Sequence, residues 1–264
     1  MITLDGTHGW VISYTNKHNI SGKKVEDINK GDWTFCTSIK PDWDRDNLLM
    51  NIEGRGYRGG VLCRNGMHSG IFNVLWQTED KSAWLKSIKG EIWYDTPNGE
   101  KKVAIIEYKV KNTDWLDIVL SYDRKNSLLK LQVREEGEFE WNTQELEING
   151  QIINYSGSHV WIGCANAFAS SPEPQFYQGD IRGIGVFNSV LTDEYRDKFY
   201  TEYQEFRGLM KYFRGHAHRR QVYNFEKMNP LVFTNFKTTT LYKAFDFSGN
   251  GNHPIIYKRE WGVY

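Results

Sequence analysis

One loop near the end of the chain gathers oxygen ligands. Asp246-Phe247-Ser248-Gly249-Asn250-Gly251-Asn252 sets a carboxylate and two carboxamides among glycines. Hard cations such as Ca²⁺ take carboxylate, amide and backbone carbonyl oxygens, and glycines let several of these turn inward together. The same side chains can instead tie the turn through hydrogen bonds to backbone groups. Asp246, Asn250 and Asn252 are the candidate metal ligands, with calcium as the expected ion.

A second group has the chemistry of a sugar site. Such sites set a flat aromatic ring against the apolar C–H face of a sugar and fix its hydroxyls with polar side chains. Arg55, Tyr57, Arg64, His68, Trp76 and Trp93 supply these types close to glycines. Trp43-Asp44-Arg45-Asp46 and Trp84 are further members of the same kind. Two weaker signals complete the inventory. Glu135-Glu136-Gly137-Glu138-Phe139-Glu140 is the nearest thing to the paired carboxylates of a glycoside hydrolase. It contains a turn-forming glycine and reads better as the solvated end of a hairpin. His216-Ala217-His218 could chelate a transition metal, but no third ligand is adjacent, and Arg219 and Arg220 mark a basic surface loop.

The bulk properties narrow the function classes. Lys+Arg and Asp+Glu are 33 each, so no net field favours nucleic acid or an anionic membrane. Aromatic residues make up 15% of the chain, which suits a β-sandwich core with some rings left for ligands. Cys36, Cys63 and Cys164 have no metal-ligand or disulfide spacing and are expected as small buried hydrophobes. The first residues are strand-like, without the charged and apolar regions of a signal peptide. No run approaches the roughly 18 apolar residues of a membrane span. The expected location is the cytoplasm or a virus particle.

Short strands separated by turn residues must position these groups. Asp32 to Ile39 alternates bulky and small polar residues as a half-buried strand would. Residues 47–53, 60–64 and 70–77 continue in that style. Thr96-Pro97-Asn98-Gly99 and Asp123-Arg124-Lys125-Asn126 each divide two strand-like runs and predict hairpins. One helix is expected over 192–214, capped by Thr192 and followed by Asp193 and Glu194. Its aromatic face is Tyr195, Phe199, Tyr203, Phe206 and Met210.

Four blocks carry a resemblance to a known family. They are Leu4-Asp5-Gly6 with Asp32-Trp33-Thr34-Phe35, then Trp115 to Asp123, then His159 to Cys164 with Phe176 to Phe187 and Leu191 to Tyr195, and finally the Asp246 loop. Together they resemble the laminin-G/concanavalin-A-like jelly roll, in a circularly permuted order. The resemblance implies an all-β domain over 1–264, a jelly-roll sandwich of two antiparallel sheets. The helix and a linker over 215–230 are then an insertion, and 231–264 completes the sandwich. In that family the Phe176–Phe187 strand pairs with the one before the Asp246 loop, here about 240–245. Related loops often hold calcium, although Pro254 replaces the usual glycine. The implied function is non-catalytic recognition of a glycan or polysaccharide. The alternatives are an assembly protein of a virion or appendage, with a protein partner, and a glycanase or polysaccharide lyase whose site lies in 44–110.

Overall fold

The computed structural model describes residues 1–5, 8–12, 31–42, 57–64, 69–80, 83–112, 114–153, 160–165, 175–203, 230–234, 246, 250 and 254–258. In chain order the strands are β1 (Ile2–Asp5), β2 (His8–Ile12), β3 (Trp33–Pro41), β4 (Tyr57–Arg64), β5 (Ser69–Asp80) and β6 (Ala83–Asp95). They continue as β7 (Lys101–Lys109), β8 (Leu116–Asp123), β9 (Leu128–Glu135), β10 (Asn142–Glu147), β11 (Gln151–Ile152) and β12 (Val160–Ile162). The short β13 (Cys164–Ala165) and β14 (Gln175–Phe176) precede β15 (Gln178–Phe187), helix α1 (Asp193–Lys198), β16 (Pro230–Thr234) and β17 (Ile255–Lys258).

Two sheets form a jelly-roll sandwich. The first runs β1-β15-β3-β8-β9-β10, with β16 also on β15. The second runs β11-β6-β5-β4-β12-β2-β17, with β7 on β6 and the pair β13–β14 attached through β4. Apart from one parallel bridge, Phe176 to Gly60, the pairings are antiparallel. β1 and β16 follow one another along one edge of β15, at 178–181 and 184–187. The pairing expected for 240–245 lies outside the described residues; 230–234 and 2–5 are the partners observed. Pro230 stands at the start of β16 beside a register shift, where its missing N–H breaks no ladder.

Turn chemistry sets the hairpin registers as expected. Between β6 and β7, Thr96 accepts from the Gly99 amide at 2.8 Å, and Gly99 takes a left-handed φ of 80°. Between β8 and β9, the Asp123 carboxylate accepts from the backbone amide of Asn126 at 3.0 Å and from its side chain at 2.6 Å. These bonds, the backbone one first, hold the Asp123 carboxyl below its ordinary range.

The main core lies between the sheets. Trp33, Phe35, Ile118, Leu120, Leu131, Ile184 and Val186 from one sheet meet Ile88, Ile92, Ile106, Val160 and Ile162 from the other. A Cβ on Gly90 would come within 2.5 Å of Leu120, so glycine is what lets β6 approach β8. β3 departs from the half-buried expectation: all but one of its nine residues are buried. Its second face lies under the helix. Phe199 and Tyr200 close a smaller core with Cys36, Val119, Phe187 and Phe233. Cys36 is fully buried, as expected, and burial pushes its thiol far above its usual range. Cys63 and Cys164 stand in β4 and β13.

Thr192 caps α1 by accepting from the Tyr195 amide, and Asp193 and Glu194 occupy the first turn. After Lys198 the helix widens into a π turn, Phe199–Tyr203. The remainder of the helix expected to 214 lies outside the described residues. Tyr200 joins Phe199 in the buried contact, one helical turn after buried Arg196. Its hydroxyl donates to the Ile118 carbonyl at 2.6 Å.

Candidate functional site

β6 and β7 have one face in the core and one turned away from it. Ile88, Ile92, Ala104, Ile106 and Tyr108 take the inner face. Strand alternation puts Ser87, Lys89, Glu91 and Trp93 on the outer face of β6. The register sets them beside Lys109, Glu107, Ile105 and Val103 of β7, in that order. The two strands differ in cover. Ser87 and Glu91 are buried, whereas Val103 is 37% and Ile105 46% exposed. Lys89 and Trp93 are half-buried. The outer face thus has a raised side over β6 and an open, apolar floor at the β7 edge.

Its electrostatics are unusual for an open sheet face. Lys89 Nζ lies 3.6 Å from Glu107 Oε2, an ion pair looser than a direct hydrogen bond. The other carboxylate oxygen, Glu107 Oε1, is withheld from solvent and has no hydrogen-bond partner, and the same holds for the Ser87 hydroxyl. Buried polar atoms are nearly always satisfied in folded proteins, so two orphans on one face set it apart from an ordinary sheet surface.

The structure distributes the other residues singled out in the sequence. Trp93 is on this face, and its carbonyl accepts from the Ile153 amide at 3.1 Å. The register places Tyr57 directly opposite Trp76, at one end of the β4–β5 pair. Arg64 is at the other end, opposite Ser69 and, on its other side, Val160. Seven residues of strand, about 23 Å, separate Tyr57 from Arg64. Arg55 and His68 lie outside the described residues, as do Asn252, the 43–46 stretch and the 216–220 loop. Lys89, Glu107 and Ser87 were not singled out in the sequence. Counting outward from the Thr96–Gly99 turn would have paired Lys89 with Glu107.

In the C-terminal loop, Asp246 and Asn250 are both buried. Asp246 Oδ1 accepts from the Phe233 amide at 2.9 Å, and the Asn250 amide donates to the Leu231 carbonyl at 3.3 Å. Both bonds reach β16, so these side chains tie the loop to a neighbouring strand. Calcium needs six to eight oxygens. One carboxylate and one amide fall short of that, and no cluster of three or more His, Cys, Asp or Glu suited to a metal occurs among the described residues. The described donor set does not by itself fit the ion.

The acidic run at the end of β9 is a solvated hairpin end over Glu136, Gly137, Phe139 and Glu140, as expected, but its first residue is not. Glu135 is buried. Its Oε1 accepts from the Tyr108 hydroxyl at 2.7 Å and the Lys111 amide at 2.9 Å, and its Oε2 from the Asn112 amide at 2.6 Å. The carboxylate pins the β7–β8 connection to β9. Burial first, then this bond, pushes the Tyr108 hydroxyl well above its ordinary value.

The sequence matches no family model and no curated protein. Solved structures with a similar layout include the enzymatically active domain of tailspike protein 2 from bacteriophage CBA120, at 10% identity and a TM-score of 0.40, covering 66% of this chain but 24% of that one. The CBM40 module of the Ruminococcus gnavus IT-sialidase is similar at 16% identity and a TM-score of 0.46, covering 74% of this chain and 92% of that one. A legume lectin-like domain from Entamoeba histolytica is similar at 9% identity and a TM-score of 0.35, covering 72% and 83%. At these values none of them assigns a ligand or an activity to this chain.

Proposed function

We propose that the chain recognises glycans through the outer face of β6 and β7, without chemical turnover. The observation that carries this reading is the juxtaposition of half-buried Trp93 with exposed Val103 and Ile105, bordered by Lys89 and Glu107. An apolar floor with polar groups at its border matches a sugar, which has an apolar C–H face and a rim of hydroxyls. The test is a glycan array with the intact protein and with Trp93→Ala. Binding lost in the variant while its melting temperature is kept supports the reading. Binding that survives in full removes this face from consideration.

Two other readings have their own tests. Glu91 and Glu107 sit diagonally across the β6–β7 pair on one face, the kind of carboxylate pair a glycanase uses. Release of new reducing ends from a bound polysaccharide, lost in Glu91→Gln, would replace recognition with hydrolysis. An assembly role would be favoured by an aromatic helix left uncovered; Phe199 and Tyr200 are buried on their own sheet, while Phe206 and Met210 lie outside the described residues. A calcium ion at Asp246, with further oxygens from outside the described residues, predicts that EDTA lowers the melting temperature and that Asp246→Ala abolishes this response. An unchanged melting curve in EDTA counts against an exchangeable ion.

A further inference from the structure

β7 pairs with β6 along one edge, and no described strand lies along the other. Backbone bonds just beyond each end of the pair show which groups point where. The Val110 amide donates to the Lys86 carbonyl at 2.9 Å, and the Thr96 amide to the Glu100 carbonyl at 2.8 Å. Antiparallel ladders alternate, so the even-numbered residues of β7 bond to β6, while Val103 and Ile105 turn their N–H and C=O groups toward the open edge. Both side chains are exposed. Such an edge is a template for a further strand, and proteins usually guard it with charged or polar groups. β10, which ends the other sheet, is guarded in this way by exposed Thr143, Gln144, Glu145 and Glu147. The centre of β7, Val103-Ala104-Ile105, is not.

We propose that this edge pairs with the β7 edge of a second copy of the chain, antiparallel and two-fold about Ala104. Side chains choose that register. With Ala104 opposite Ala104 of the second copy, Val103 faces its Ile105 and Lys101 faces its Glu107, and symmetry repeats each contact. Val103 and the opposed Ile105 then exchange both backbone bonds. The Glu107 side chain is 31% exposed, so its charge is open to an approaching lysine, and Lys102 is compensated by Glu100 at 3.3 Å. Centring the pair on Ile105 would instead set Lys101 against Lys109 and Val103 against Glu107. Centring it on Val103 would forfeit the Lys101–Glu107 contact. Opposite charges and apolar pairs stabilise a ladder and like charges weaken it, so one register stands out. A single paired strand is a small interface, which makes the dimer weak and reversible. The pairing uses the edge of the sheet rather than its face, and does not rest on the glycan reading.

Sedimentation velocity on the intact protein tests this. The expected result is a monomer–dimer equilibrium that moves toward dimer as concentration rises. Lys101→Glu, which opposes two carboxylates on each side of the axis, should weaken the dimer about tenfold, and added salt should recover part of the loss. Ala104→Cys reads the register. Directly opposed residues of a non-hydrogen-bonded pair have Cα atoms about 4.5 Å apart, inside the range a disulfide spans. Mild oxidation should therefore cross-link Ala104→Cys, whereas Val103→Cys and Ile105→Cys, whose counterparts lie diagonally, should run as monomers on denaturing gels like the unmodified chain. A monomer at every concentration would overturn the pairing, and a dimer unaffected by Lys101→Glu would overturn it too. Cross-linking of Ile105→Cys but not of Ala104→Cys would overturn the register. Slow hydrogen exchange at the Val103 and Ile105 amides in dilute monomer would show that the chain covers this edge itself, and would exclude a second copy.

Discussion

The outer faces of the two sheets are built on the same alternation and meet opposite fates. On the smaller sheet, Cys36, Val119, Phe187 and Phe233 point outward and are sealed by Phe199 and Tyr200 of the helix. A stack of charge and aromatic groups clamps the lid. The Arg134 and Arg196 guanidinium groups each lie over the Trp141 ring, at 4.6 and 4.7 Å. Arg134 also pairs with Asp117 at 2.7 Å, while Asp197 accepts from the Trp141 indole at 3.1 Å and from Arg196 at 3.0 Å. On the larger sheet, the face over β7 has no such lid among the described residues: Ile105 and Val103 meet solvent beside an ion pair and unsatisfied polar atoms. The contrast teaches that apolar residues on an outer face do not identify a site. What packs over them decides whether they become core or surface.

If the lidded face is a true core, Phe199→Ala should destabilise the protein by about 3–5 kcal/mol, since it removes a ring packed edge-on against Phe187, Tyr200 and Phe233. Chemical denaturation measures this, and a loss below about 1 kcal/mol would show that the helix merely rests on the sheet. Glu135→Ala should cost about 2–3 kcal/mol, because a buried hydroxyl and two backbone amides lose their acceptor together. The same denaturation curve checks it, and a cost comparable to removing an exposed glutamate would contradict the burial.

Alkaline pH acts on the same buried groups. The Tyr108 and Tyr200 hydroxyls are pushed above the ordinary value of 10.0, burial being the main cause in both. The folded chain therefore holds protons that the unfolded chain releases, and stability present below about pH 10 is lost as pH rises beyond it. Tyr200→Phe should flatten this alkaline limb, as followed by melting temperature against pH. At the small end, Ile105→Thr on the open face should change stability by no more than about 0.5 kcal/mol while weakening glycan binding. A large destabilisation there would mean that this face, too, is a covered core.

Several elements were legible because their causes are local. The Thr96–Gly99 and Asp123–Asn126 turns, the Thr192 cap and the apolar run of β15 follow from residues a few positions apart. Tyr200 escaped because the stripe was counted through Tyr195 and Phe199, whereas the adjoining line of the helix through Arg196 and Tyr200 is buried as well. Glu135 looked solvated because it opens a run of acidic residues, and nothing nearby in the sequence announces that the Lys111 and Asn112 amides arrive from 24 and 23 positions away.

By itself, then, the sequence determined the sheet-forming pattern, the turns that set each hairpin's register and the stock of aromatic and charged side chains. Tertiary structure alone decided which outer face would be covered, which carboxylate would become a structural acceptor and which would be left with an orphan oxygen. The reason is physical. Alternation fixes two faces for every strand, but burial depends on what packs over each face, and that is set by contacts between residues far apart in the chain.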